Sequence, residues 1–149
     1  MVGPRSIIEV VEDSFDPKSF IRIHGDCHKG NLLLSDTRDG KEFFFVDFDD
    51  FCNGPVVQDF WMLLSGSADG DEYAAAEQEE ICSGYEELRE IPDEWHLFNP
   101  LRGLRIIHYA GWIAQRWNDP FFQQIFPAFQ TYNYWLDELG QLEKIANSL

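Results

Sequence analysis

A chain of 149 residues fits one compact domain, able to bury roughly two thirds of the surface that its unfolded form would expose. A hydrophobic content of 44%, with 15% aromatic residues, excludes a disordered chain despite the net charge of -16. With 11 Lys and Arg against 27 acids, a nucleic-acid partner is excluded too, because a phosphate backbone is held by basic side chains; the same field attracts cations.

Cys27, Cys52 and Cys82 are odd in number and follow no scaffold spacing, which points to a reducing compartment. No charged segment followed by an apolar one opens the chain, and no apolar run approaches the ~20 residues of a membrane helix. The expectation is a soluble, cytoplasmic protein with no membrane partner.

In chain order, Met1 to Arg5 carries no motif and Ser6 is a candidate cap. The run Ile7 to Val11 is too short for periodicity to separate strand from helix. Asp13 to Ser19, with Asp16-Pro17, reads as a loop, and Phe20 to Ile23 returns to the core. Leu32-Leu33-Leu34 and Phe43 to Val46 flank the turn Ser35 to Gly40 and predict a buried β-hairpin, which brings Asp47 beside Asn31. Asn53-Gly54-Pro55 reads as a second turn. A helix is expected from Asp59 to Leu64, with Ser65-Gly66 as its stop. Asp69-Gly70-Asp71 then starts a polar helix from Glu72 to about Glu90, striped by Ile81, Tyr85 and Leu88 and ended by Ile91-Pro92. Leu97 to Trp117 predicts a long helix broken near Asn99-Pro100. Its Leu101, Leu104, Ile107, Gly111 and Trp112 form a broad face, as of a helix surrounded by others. A phenylalanine-rich stretch from Phe121 to Phe129 leads to an amphipathic helix from Thr131 to about Ala146. No linker divides the chain, so residues 1–149 read as one domain.

The chemistry concentrates between Ile21 and Trp61. Phosphoryl transfer needs a group that orients or deprotonates the acceptor hydroxyl, and magnesium held against phosphates by one or two carboxylates. Asp26, Asn31 and, across the hairpin, Asp47 supply such a set. A zinc site from His24, Cys27, His28 and Cys52 is the competing reading, but structural zinc takes paired C-x-x-C or H-x-x-x-H ligands. Singly, His24 reads as a loop-holding histidine and Asp59 as a helix cap or dipole partner. Trp95, Trp112, Trp117 and Trp135 read as core, with substrate-groove residues as the alternative, and Arg102 and Arg105 as partners of acids, with a phosphate or substrate contact as the alternative.

The wording His24-Gly25-Asp26-x-His28-x-x-Asn31, then Val46-Asp47-Phe48-Asp49-Asp50, then Asn53-Gly54-Pro55 and Gln58-Asp59-x-Trp61, resembles the aminoglycoside phosphotransferase and choline kinase group of kinase-like enzymes. Within it, the stretch is similar to a bacterial stress-response branch that phosphorylates protein Ser/Thr hydroxyls with ATP and magnesium. The resemblance implies an α+β, mostly helical lobe, the carboxy-terminal half of a kinase-like fold, whose β-hairpin carries the metal-binding Asp. It implies Asp26 as catalytic base, Asn31 and Asp47 as magnesium ligands, and His28 as a phosphate or loop contact. Asp49 would be a secondary metal or structural group. His24 and Asp59 would support the catalytic loop, Asp59 as a carboxylate accepting its backbone donors.

A complete kinase of this kind also needs a glycine-rich loop, a strand Lys and its helix Glu. Lys18, Lys29, Lys41 and Lys144 follow no such pattern. The expectation is therefore a lobe whose nucleotide cleft is incomplete, with weak ATP binding and poor transfer by itself. The acceptor that the resemblance implies is a protein hydroxyl; a small aminoglycoside or amino alcohol, and a non-catalytic scaffold or metal-binding fragment, are the alternatives. The face left by the missing lobe is a candidate for self-association.

Overall fold

Helix α1, Pro4–Ser14, settles the ambiguity of the first apolar run. Ile7 and Val11, four residues apart, are both buried while Ile8 is exposed, the helical rather than the alternating period. Ser6, a candidate cap in the sequence, lies within the span of α1 rather than before it. The structure, a computed structural model, describes residues 4–38, 40–64 and 72–149. The expected helix stop at Ser65-Gly66, the start at Asp69-Gly70-Asp71 and Asp39 of the hairpin turn lie outside the described residues.

The chain gathers into two compact units, Met1–Phe15 with His96–Leu149, and Asp16–Trp95. In the first, α1 packs with α4 (Phe98–Arg116) and α6 (Tyr132–Asn147). Pro100 falls in the first turn of α4, where a backbone N–H has no intrahelical acceptor, so it does not break the helix. The buried side of α4 is Pro100, Leu101, Gly103 and Ile113, while Gly111 and His108 are exposed; the helix is covered on one side rather than surrounded. Asp119 caps the short α5, Pro120–Ile125, by accepting from Phe121 N–H. A 3-10 turn, Pro127–Gln130, follows, and the Thr131 hydroxyl caps α6. The expected stripe of α6 is only partly buried: Ile145 is in the core, whereas Trp135 and Leu139 are exposed. Aromatic rings tie α4, α5 and the turn together, with Tyr109 stacked on Trp112 and Trp112 edge-on to Phe122. Arg102 lies over the Phe98 ring and Arg105 over Tyr109.

The second unit holds two small antiparallel sheets. Strand β1 (Ile21–Ile23) pairs with β4 (Cys52–Gly54), Ile23 opposite Cys52. Asn53-Gly54, expected as a turn, is thus a strand, because its backbone groups find partners in β1. The hairpin of β2 (Leu32–Thr37) and β3 (Gly40–Phe45) forms in the register Leu32 to Phe45 through Thr37 to Gly40. It is not buried. Leu33, Leu34, Phe43, Phe44 and Phe45 are all exposed, Phe43 by 66%. A continuous apolar run is enclosed only where both faces of its sheet are covered, and here, among the described residues, only Phe45, at the base of the hairpin, reaches another ring, that of His24.

Helix α2, Val57–Leu63, begins two residues before Asp59 and buries Val57 and Phe60, whose ring meets Tyr85 edge-on. Helix α3 runs from Glu72 to Glu86, ending before Leu88, which is 92% exposed; the predicted stripe therefore stops at Tyr85. Among the described residues no helix is long and apolar enough to cross a membrane.

The exposed hairpin generates a prediction. Phe43→Lys should change urea-melt stability by less than about 0.5 kcal/mol, the range of surface substitutions, while reducing light scattering at high concentration, since charge on an edge strand blocks strand addition. A loss of several kcal/mol would show that Phe43 packs against something.

Candidate active site

The turn between β1 and β2 is built by backbone geometry first. Gly25 has φ +87, in the left-handed region that favours glycine, and a Cβ there would sit 2.3 Å from the Asp50 carbonyl oxygen. Glycine is required on both counts. The two amides that open the turn converge on one carboxylate: His24 N–H donates to Asp59 Oδ2 at 2.8 Å and Gly25 N–H to Asp59 Oδ1 at 3.0 Å. Asp59, in the first turn of α2, therefore holds the turn rather than capping its own helix, whose cap position is Val56.

His24 is buried, and both ring nitrogens are in use. Nδ1 stands 3.4 Å from the Asp26 N–H, which donates to it, so Nε2 carries the proton and donates to the Val46 carbonyl at 2.9 Å. Its ring also lies 4.6 Å from that of Phe48. The histidine thus links the turn to the end of β3.

Asn31 closes the other side. Its side-chain Nδ2 donates to the Asp26 backbone carbonyl at 2.9 Å, while its backbone carbonyl accepts from Val46 N–H at 3.0 Å. These bonds bring Asp26, Asn31 and the residue before Asp47 into one neighbourhood. Asp47 is exposed and has φ 63, a left-handed conformation that Asp tolerates better than most side chains. Asp49 is exposed in the following turn. His28 accepts from Gly30 N–H through Nδ1 at 3.0 Å, leaving Nε2 to face Asp26 Oδ2 at 3.6 Å. Lys29 pairs with Glu77 of α3. The zinc reading finds no support in this geometry: among the described residues no three His, Cys, Asp or Glu side chains cluster to hold a metal.

Sequence reasoning passed over Glu94. It is buried, and accepts from Ser19 Oγ and from Val56 N–H, each at 2.8 Å. No motif surrounds it; the only signal is an acid next to a proline-containing loop and an aromatic residue.

Behind the turn lies an apolar cleft of about 510 Å³, walled by Ile21, Phe48, Phe60, Ile81 and Tyr85, into which Cys27 and Asp59 also face. Burial pushes the Cys27 thiol up to about 12, with the negative charges of Asp59 and Asp26 adding to it. Burial likewise raises the Asp59 carboxyl above its ordinary value, and the two amide bonds only partly offset this.

Two outcomes follow from these environments. Under iodoacetamide near pH 8, exposed Cys52 should be alkylated well before Cys27, read by peptide mass spectrometry; equal rates would contradict the burial of Cys27. Asp59→Asn should cost about 1–3 kcal/mol, because a carboxamide offers one oxygen to two N–H donors. The folded chain binds the Asp59 proton more tightly than the unfolded chain. Its favourable contribution is therefore complete below the unfolded value of 3.8 and is lost as pH rises through the raised folded value. The deficit of the Asn variant in urea melts should accordingly be larger near pH 4 than at pH 7.

Comparison with known proteins gives the family. The phosphotransferase enzyme family (APH) model matches residues 8–91. Stress response kinase A of Escherichia coli (strain K12) is 46% identical over 121 residues, covering 78% of this chain and 33% of that protein. Serine/threonine protein kinase RdoA of Salmonella typhimurium (strain LT2) is 44% identical over 120 residues, 77% of this chain and 33% of that protein. The chain thus spans about a third of the length of these curated relatives. Among solved structures, spectinomycin phosphotransferase APH(9)-Ia, in complex with ADP and spectinomycin, aligns with 97% of this chain and 43% of its own, at a TM-score of 0.49 and 15% identity. The chain belongs to the phosphotransferase enzyme family.

Proposed function

We propose that the chain is the carboxy-terminal, acceptor-side lobe of a cytoplasmic kinase-like enzyme that transfers the terminal phosphoryl group of ATP to a protein Ser or Thr hydroxyl. The observation that supports this reading is the pair of bonds at Asn31, its side-chain nitrogen to the Asp26 backbone carbonyl and its backbone carbonyl from Val46 N–H, which ties the Asp26 turn to the residue before Asp47. The similarity to serine/threonine protein kinase RdoA favours a protein acceptor. The charge of -16 favours the second reading, a small cationic acceptor.

The donor set suits magnesium. Asn31 spends its amide nitrogen on the Asp26 carbonyl, which leaves the side-chain oxygen, the hard ligand, for a cation. Asp47 is exposed and contributes the carboxylate. Asn31 and Asp47 would hold the ion, with Asp49 as a secondary group. Magnesium-ATP, when bound, supplies the phosphoryl group and neutralises its charge. Asp26 orients the acceptor hydroxyl and takes its proton as the oxygen attacks phosphorus. His28 Nε2 lies 3.6 Å from Asp26 Oδ2, and its single N–H is a donor for a phosphate oxygen at the mouth of the turn. His24 and Asp59 hold the loop on which these groups sit.

The test joins this chain to an amino-terminal ATP lobe in one reading frame and measures phosphate transfer to protein and aminoglycoside acceptors. Asp26→Ala should lower turnover by about 10²-fold or more, the usual worth of a general base. Equal turnover in the variant would remove Asp26 from the reaction. No turnover from a folded frame would favour a non-catalytic scaffold.

A further inference from the structure

Three polar or charged side chains are buried among the described residues: His24, Asn31 and Glu94. The first two belong to the turn. Glu94 stands far from it in sequence, follows no motif and is 6% exposed. A buried carboxylate is retained only when its oxygens are satisfied, and each oxygen of Glu94 meets a different segment. Oε2 accepts from Val56 N–H, the residue that precedes α2, and Oε1 faces the Ser19 hydroxyl, two residues before β1.

These two segments are the ones whose relative placement sets the turn. Helix α2 carries Asp59 three residues after Val56, and β1 ends one residue before His24. Asp59 can accept both His24 and Gly25 amides only if the start of α2 and the end of β1 are held in register, within a few tenths of an ångström. We infer that Glu94 is a positioning residue for the Asp26 turn: by joining Ser19 to Val56 it fixes Asp59 against the strand end that presents the His24 and Gly25 amides. Its consequence for phosphoryl transfer rests on the proposed function; its consequence for the turn does not.

The hydrogen-bond chemistry sets a sharp expectation for variants. The Ser19 hydroxyl has one proton and also lies 2.9 Å from the Asp16 carbonyl. A glutamine at position 94 would accept from Val56 through its oxygen and donate to Ser19 through its nitrogen, releasing the Ser19 proton to Asp16. The bridge survives. Leucine of similar size leaves Val56 N–H unpaired, and aspartate, one methylene shorter, cannot span both partners.

Amide hydrogen exchange on the 149-residue chain reads the inference directly. Glu94→Leu should speed exchange at Val56, His24 and Gly25 by about tenfold or more, and Glu94→Gln should stay within about twofold. Glu80 and Ile81 of α3, in the same compact unit as Glu94, report whether that unit remains folded. Faster exchange at Val56 alone, with His24 and Gly25 unchanged, would overturn the proposal. Should Glu94→Leu fail to fold, Glu94→Asp against Glu94→Gln decides: faster exchange of the turn amides in the first only supports positioning, and equal rates sink it. In the two-lobe frame, Glu94→Leu should lower kcat at constant KM for ATP, with Glu94→Gln restoring it. If the unsubstituted frame transfers no phosphate, the proposed function falls, and amide exchange alone still judges Glu94.

Discussion

One carboxylate organises the candidate site. Asp59 accepts two successive backbone N–H groups at the point where β1 becomes the turn, and charge-assisted bonds of this kind are about twice as strong as neutral ones. The pair fixes both position and rotation of the turn, which a single bond would leave free to swivel. With the turn held, His24 reaches the Val46 carbonyl and Asn31 reaches the Asp26 carbonyl. Desolvation works against this arrangement, raising the Asp59 carboxyl, so the charge that anchors the turn is itself held in place at a cost.

The hairpin presents the opposite situation. Its register places Asn31 and Val46 together, yet its apolar side chains lie open. Two strands alone are marginally stable in water, so the tie from Asn31 to Val46 and the contact of His24 with Phe48 anchor one end while the tip lacks cover among the described residues. The tie to the turn and the exposed apolar surface thus occur on one element. Its base belongs to the turn, and its remaining length offers a surface to be covered.

What the sequence made legible was local. The Asp-Gly signal and two apolar runs gave the hairpin, the i, i+4 spacing of apolar residues gave α4 and α6, and the wording around Asp26 gave the family. What it hid depends on distant partners. Asn53-Gly54 looks like a turn because only its pairing with Ile21 and Arg22 makes it a strand. The hairpin looked buried because hydrophobic runs record a preference for cover without recording whether cover is at hand. For Asp59, local sequence showed only a helix-start acid; the resemblance implied that it accepts backbone donors of the loop, and those donors, His24 and Gly25 N–H, lie over thirty residues earlier in the chain. Glu94 left no pattern at all, since its partners, Ser19 and Val56, belong to two separate segments.

Gly25 carries a consequence for how this sequence can vary. Its missing side chain is where the Asp50 backbone sits, and its left-handed φ is closed to ordinary residues. Both barriers would have to fall at once for another amino acid to enter, and moving the Asp50 carbonyl would disturb the segment leading into β4. Neutral drift therefore has no single step away from glycine here, whereas Cys27, two positions on, asks only for a small apolar occupant. Within three residues the chain passes from a position closed to replacement by its backbone to one constrained only by the space around its side chain.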